Sequence, residues 1–289
     1  MSDEEIKIFE RSQEFKSLEK LLRSTQAFKA PDYDVEAELA KLRSKDAFKN
    51  KSIGSFRLWP VFRIAAVLVL VMITFFYFFI NHTTTVKTDP AERTSIYLPD
   101  SSEVILNAFT TVAFKERGWK NNRTVQMDGE AFFKVTKGSK FDVATTMGTV
   151  TVLGTSFNVK SRPGYFEITC YEGSVEVKSG NEVARLLPGK AVRILDGKIA
   201  HMSVVSVGTP AWLHGESSFK SVPFVHVIRE LERQYGIEVI FQSTKDEQLF
   251  TGKFPHENLS LAIRAISAPF HLKYEFAEKN KVILSKEDD

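Results

Sequence analysis

Ile64-Ala65-Ala66-Val67-Leu68-Val69-Leu70-Val71-Met72-Ile73-Thr74-Phe75-Phe76-Tyr77-Phe78-Phe79-Ile80 is a run of 17 residues without a charge. Counted from Val61 it reaches about 20 residues, which at about 1.5 Å per residue matches a hydrocarbon core of roughly 30 Å. The run predicts one transmembrane helix over 59–80 and divides the chain into two unequal parts. A cleaved signal peptide fits poorly, because sixty residues precede the run and no A-x-A site follows it. A buried core helix also fits poorly, since Phe75-Phe76-Tyr77-Phe78-Phe79 is apolar all round.

The flanks orient this span. Seven basic residues lie between Lys41 and Arg63 (Lys41, Arg43, Lys45, Lys49, Lys51, Arg57 and Arg63), against Lys87 and Arg93 between Asn81 and Glu103. The excess predicts a cytoplasmic N-terminal tail and 209 residues on the far side. Arg63 can snorkel to the headgroups, and Trp59 suits an interfacial anchor.

The net charge of +3 is small, and its basic excess sits beside the apolar run. No binding face for nucleic acid is suggested. Cys170 is the single cysteine, so no intramolecular disulfide can form. Within Phe166-Glu167-Ile168-Thr169-Cys170 it reads as a small buried strand residue rather than a reactive thiol.

The tail, 1–58, reads as short helices. Ile8, Phe15, Leu18 and Leu22 recur at helical spacing. After Pro31, the acids Asp32, Asp34 and Glu36 favour a helix start, and Val35, Leu39 and Leu42 form an i, i+4, i+7 stripe. Helices this short are marginal alone. The stripe suits docking into a partner's groove, the alternative being a passive spacer. A stalk is expected at 81–93.

The stretch 94–208 is a series of short β runs, among them 95–98, 103–106, 124–127, 131–135, 149–152, 157–159, 174–177 and 191–194. Turn signals separate them at Pro99-Asp100, Asp128-Gly129, Lys137-Gly138, Pro163-Gly164, Glu172-Gly173, Ser179-Gly180, Pro188-Gly189 and Asp196-Gly197. This pattern predicts an all-β domain, sandwich or β-solenoid. From 209 to 289 the order becomes β-α-β-β-α-β-β, a small α+β domain. There Pro223 opens a helix that carries Phe224, Ile228, Leu231 and Tyr235 and ends at Gly236. Ser260 caps a second helix bearing Leu261, Ile263 and Ile266. The expected fold class is thus a multidomain membrane protein with a short helical tail, one span, an all-β domain and a small α+β domain.

No enzyme signature emerges. His82, His201, His214, His226, His256 and His271 include no i, i+4 helical pair, and there is no cysteine pair, so no metal site is expected. A P-loop, a G-x-S-x-G elbow and a dinucleotide fingerprint are all missing, so no cofactor is expected. One local exception is Gly154-Thr155-Ser156. A Thr hydroxyl after Gly could attack the preceding carbonyl in an N→O acyl shift, ending in self-cleavage; a tight turn into a strand is the simpler reading.

Five motifs, in order, carry a family resemblance. They are Glu92-Arg93 with Leu98-Pro99-Asp100-Ser101-Ser102-Glu103-Val104 and Leu106-Asn107-Ala108; Gly129-Glu130-Ala131-Phe132-Phe133-Lys134-Val135; Val152-Leu153-Gly154-Thr155-Ser156-Phe157-Asn158-Val159; Glu172-Gly173-Ser174-Val175-Glu176-Val177; and Leu187-Pro188-Gly189-Lys190-Ala191. This set resembles the FecR domain. The closing segment resembles the C-terminal domain of Bacteroidetes-type members, related to the short N-terminal module of secretins and TonB-dependent receptors.

The resemblance implies a FecR-like anti-sigma factor in the inner membrane of a Gram-negative bacterium, N-terminus cytoplasmic and C-terminus periplasmic. Its tail would hold an extracytoplasmic-function sigma factor through Val35, Leu39 and Leu42. Its periplasmic part would meet the signalling domain of a TonB-dependent outer-membrane receptor and so control nutrient-uptake genes. The resemblance also implies that the Gly154–Thr155 step can self-cleave. The tail departs from longer relatives: it lacks their Trp-rich helical pattern and matches only at Asp32-Tyr33-Asp34-Val35. Rival readings are a membrane-tethered periplasmic binding module with a passive tail, and a membrane-anchored hydrolase.

Overall fold

The computed structural model describes residues 13–26, 32, 34–44, 59–80, 82–195, 197–204, 208–241, 248–277 and 280–286. Ile8, Tyr33, Asp196 and the basic residues Lys45, Lys49, Lys51 and Arg57 lie outside them, as does the side chain of Trp59. The chain divides into two units, Met1–Met72 and Ile73–Asp289.

The tail contains helix α1 (Gln13–Gln26) and helix α2 (Val35–Ser44). Asp34 starts α2 as the acidic cluster predicts: its Oδ1 accepts the Ala37 N–H at 3.0 Å. Helix α3 spans Trp59–Ile80, 22 residues, the bounds expected for the apolar run. Its side chains are described for residues 62–76 only, and among the described residues no helix is long and apolar enough to cross a membrane.

The β domain is a two-sheet sandwich whose sheets share one strand. Its first strands are β1 (Thr84–Lys87), β2 (Thr94–Tyr97), β3 (Glu103–Leu106), β4 (Thr111–Phe114) and β5 (Arg123–Lys134). Next come β6 (Phe141–Ala144), β7 (Thr149–Val152), β8 (Ser156–Arg162) and β9 (Tyr165–Glu172). The last are β10 (Val175–Ser179), β11 (Glu182–Leu186), β12 (Lys190–Leu195) and β13 (Lys198–Val204). One sheet runs β1-β4-β5-β6-β7-β10-β11 and the other β2-β3-β5-β8-β9-β12-β13; every pairing is antiparallel except β5–β6. These antiparallel ladders resolve the solenoid-or-sandwich alternative in favour of the sandwich. Strands β3, β4 and β7 bury every second side chain, so each sheet presents one apolar face to a common core. At its centre Phe133 stacks on Phe157 at 5.1 Å and meets Phe141 edge-on at 6.2 Å.

Strand β5 corrects the sequence reading. Asp128-Gly129 is not a turn. Residues 123–128 pair in the first sheet and 129–134 in the second, so the strand changes sheets at Gly129. Gly129 has φ 126°, a region closed to most side chains, and a Cβ there would lie 2.5 Å from Thr110 Oγ1. The Thr110 hydroxyl replaces a missing ladder strand: it accepts the Glu130 N–H and donates to the Glu130 carbonyl, both at 3.1 Å.

The expected stalk at 81–93 also needs correction, because β1 within it pairs with β4. The seven-residue β13 escaped the pattern, as did the shorter β4, β6 and β11. In β4, β6 and β11 only two side chains point inward, which leaves little alternation to read.

The closing domain has the expected order: β14 (Glu216–Pro223), α4 (Phe224–Tyr235), β15 (Glu238–Phe241), β16 (Leu249–Pro255), α5 (Leu259–Ser267), β17 (Leu272–Ala277) and β18 (Lys281–Lys286). Strand β14 pairs with β16, and β18 lies between antiparallel β17 and parallel β15. Gly236 ends α4 with φ 63°, as its position predicts. The cap of α5 is Asn258, not Ser260: Asn258 Oδ1 accepts the Leu261 N–H at 2.9 Å, and Leu261 itself is exposed. Tyr165 of β9 enters the core formed by α4, α5, β14 and β16, so the two domains meet through an apolar contact.

Candidate functional site

The densest chemistry of the unit lies where β5 and β8 face α4. Glu130 on β5 and Glu230 on α4 are 5% and 1% exposed, and Lys160 of β8 bridges them at 3.1 and 2.8 Å. Amides complete the seam. Asn107 Nδ2 and Asn158 Nδ2 donate to Glu130 at 3.0 and 3.1 Å. Gln234 Nε2 donates to both Asn107 Oδ1 and Glu230 Oε1 at 2.9 Å, and Trp212 Nε1 donates to Asn158 Oδ1 at 3.0 Å. Arg233, one helical turn after Glu230, pairs with it at 2.9 Å.

Burial opposes every charge here, and the pairing decides the outcome. Burial would raise the Glu230 carboxyl, but Lys160, Arg233 and Arg162 hold it well below the ordinary value. Burial would lower the Lys160 ammonium, but Glu130 and Glu230 hold it above the ordinary value. The loop before β2 joins the same seam: the Ala91 N–H donates to the Arg233 carbonyl at 2.8 Å, and the Arg93 guanidinium meets His256 Nδ1. Burial, then Arg93, push His256 down to about 4, so it is neutral at pH 7.

Sequence reasoning missed this seam, although one signal was present. On α4 the buried positions are Phe224, Val227, Ile228, Glu230, Leu231 and Gln234, so two polar residues sit on the apolar face. A charge at a core position demands a buried partner.

The residues singled out from sequence fall elsewhere. Val35, Leu39 and Leu42 are 63%, 46% and 64% exposed on α2, one stripe with nothing of the described chain over it. Gly154-Thr155 forms the turn into β8. Thr155 is buried and donates to the Ser174 carbonyl at 3.1 Å. Three turns pack there backbone to backbone: a Cβ on Gly154 would lie 2.6 Å from Lys137 Cα, and one on Gly173 would lie 2.8 Å from both the Gly154 carbonyl and Thr155 Oγ1. The small residues of both motifs are therefore required by close approach. Cys170 is buried, as its strand context predicts, and burial raises its thiol. Among the described residues no group of three His, Cys, Asp or Glu side chains could hold a metal ion.

Comparison with known proteins agrees with this layout. The family model "FecR protein" matches residues 84–176, starting at β1, and "FecR, C-terminal" matches residues 216–284, from β14 into β18. No curated protein matches the chain. Two crystal structures of a candidate anti-sigma factor from Parabacteroides distasonis are each 30% identical to it, with TM-scores of 0.67 and 0.66. They cover 72% and 71% of this chain and 100% of their own. With both family models in order along the chain and a 30% identical relative covered over its full length, the chain belongs to the FecR family.

Proposed function

We propose that this protein is a single-pass inner-membrane anti-sigma factor of a Gram-negative bacterium. The tail holds an extracytoplasmic-function sigma factor in the cytoplasm, and the β and α+β domains lie in the periplasm. Membership of the FecR family and likeness to a candidate anti-sigma factor support the regulatory role. The uncharged apolar run Ile64–Ile80 and the basic residues before it support the span. The signal comes from the signalling domain of a TonB-dependent receptor. It docks by strand addition at an open edge of the closing domain, for which β17 is suited because β18 is its only strand partner among the described residues.

The observation that carries this reading is the uncovered apolar stripe of α2. A ten-residue helix is marginal alone and gains stability by burying such a stripe in a partner's groove. In affinity capture with the full chain in detergent, Leu39→Asp with Leu42→Asp is expected to cut sigma-factor recovery at least tenfold. Equal recovery would remove the stripe from the interface; no sigma factor with either bait would leave the tail a spacer.

Self-cleavage at Gly154–Thr155 belongs to the same proposal. The Thr155 oxygen attacks the Gly154 carbonyl carbon, the C–N bond breaks, the nitrogen takes the hydroxyl proton, and water hydrolyses the resulting ester. A cleft of about 510 Å³ beside Gly154 and Thr155, lined also by Glu103, Lys134 and Glu172, gives water a route. Purified chain is expected to yield two fragments on incubation, Thr155→Ser to do so as well, and Thr155→Ala to stay whole. A single persistent band from all three would end this part of the reading.

A further inference from the structure

A second cleft, about 360 Å³, is lined by residues of the sandwich and of α4, Lys160 among them. Arg162, Arg229 and Arg233 line it together with Lys160, and Asp128 is the carboxylate in its wall. Lys160 and Arg233 are already matched by the buried glutamates. Arg162 is matched differently. It is 7% exposed, its terminal nitrogens donate to the carbonyls of Ala108 and Phe109 at 2.9 and 2.5 Å, and among the described residues no carboxylate lies within ion-pair distance of it. The Nε atoms of both Arg162 and Arg233 are buried without a hydrogen-bond partner. Arg229 stands exposed on the rim. The remaining wall is mostly apolar, with Phe109, Pro163, Phe219 and Val222 beside Tyr165 and His226.

Glu230, Glu130 and Asp128 act on Arg162 only from beyond ion-pair distance, and a buried guanidinium with no direct ion pair is costly, while its planar fork is suited to carboxylate or phosphate. We infer that this cleft binds a small organic anion, a carboxylate or phosphate monoester on an apolar body, between Arg162, Arg229 and Arg233. The volume lies in the range of small-molecule sites, and the mixture of an apolar wall with a few convergent cations is their usual chemistry. Burial, then the neighbouring Arg233, bring Arg162 down to about 10 against the opposing pull of Glu230, Glu130 and Asp128, so it stays charged at pH 7. Arg162 and Lys160 belong to the β domain and Arg229 and Arg233 to α4, so the ligand clamps the two domains together. Its binding favours the docked state by linkage.

The test uses full chain in detergent, with phenyl phosphate and phenylacetate as probes and phenol as neutral control, read by calorimetric titration and thermal unfolding. At least one anion is expected to bind and raise the unfolding midpoint while phenol does neither. Arg229→Ala, an exposed position that leaves folding intact, is expected to weaken binding about tenfold, and Arg162→Lys to weaken it further by losing the fork. Which anion binds separates phosphate from carboxylate ligands. No binding of either anion, or equal binding by wild type and both variants, overturns the site.

Discussion

Lys160→Met is expected to destabilise the unit 73–289 by about 3–5 kcal/mol, because it leaves two buried carboxylates facing each other without their shared cation. For a unit of this size that is a fall in unfolding midpoint of about 10 °C. Trp212 reports it directly, since its indole donates to Asn158 in the same seam, whereas Trp119 lies in the sandwich core. The pH dependence follows from Glu230. Its carboxyl is held below the ordinary value in the folded chain, so its contribution is complete above the unfolded value of about 4.3 and is lost as pH falls through the folded value. Wild type is therefore expected to lose stability steeply below about pH 4, and Glu230→Gln to show a shallower acid slope from a lower starting stability. Urea unfolding at a series of pH values measures both. A Lys160→Met variant as stable as wild type would mean that the seam is solvated and contributes nothing.

Gly129→Ala is the second large effect. The new Cβ would meet Thr110 Oγ1 at 2.5 Å and Thr110 Cα at 2.7 Å, and φ 126° is strained for any residue with a Cβ. Overpacking and backbone strain together are expected to cost about 3–5 kcal/mol. Gly180→Ala is the matched control. It also has positive φ, 56°, but nothing lies within 4 Å of its Cβ, so about 1 kcal/mol is expected. Urea midpoints of the two variants decide the matter. Equal midpoints would show that β5 changes sheets without needing the close approach to Thr110.

These two sites also mark where sequence patterns stopped being informative. Asp128-Gly129 is a turn signal by composition, because glycine supplies positive φ wherever it is needed. Whether that freedom is spent on reversing the chain or on passing a strand from one sheet to another depends on what stands opposite, here Thr110 from another strand. Likewise, Glu130 within Gly129-Glu130-Ala131-Phe132-Phe133 reads as the polar member of an alternating strand. It is buried because Lys160, Asn107 and Asn158 converge on it, and Gln234 reaches Asn107 across 127 residues of chain.

The sequence by itself determined the local elements: the helical apolar run of α3, the acidic start and apolar stripe of α2, the α4 boundary at Gly236, the β and α+β segments, and the motifs of the FecR family. Each depends on interactions within a few residues, where propensity, capping and periodicity act. Only the tertiary structure decided that the β strands form a sandwich sharing β5, that β1 belongs to it, and that an ionic seam and a basic cleft join its surface to α4. Those features depend on contacts between residues tens of positions apart. The stability of a buried charge is set by the partners that the fold brings to it.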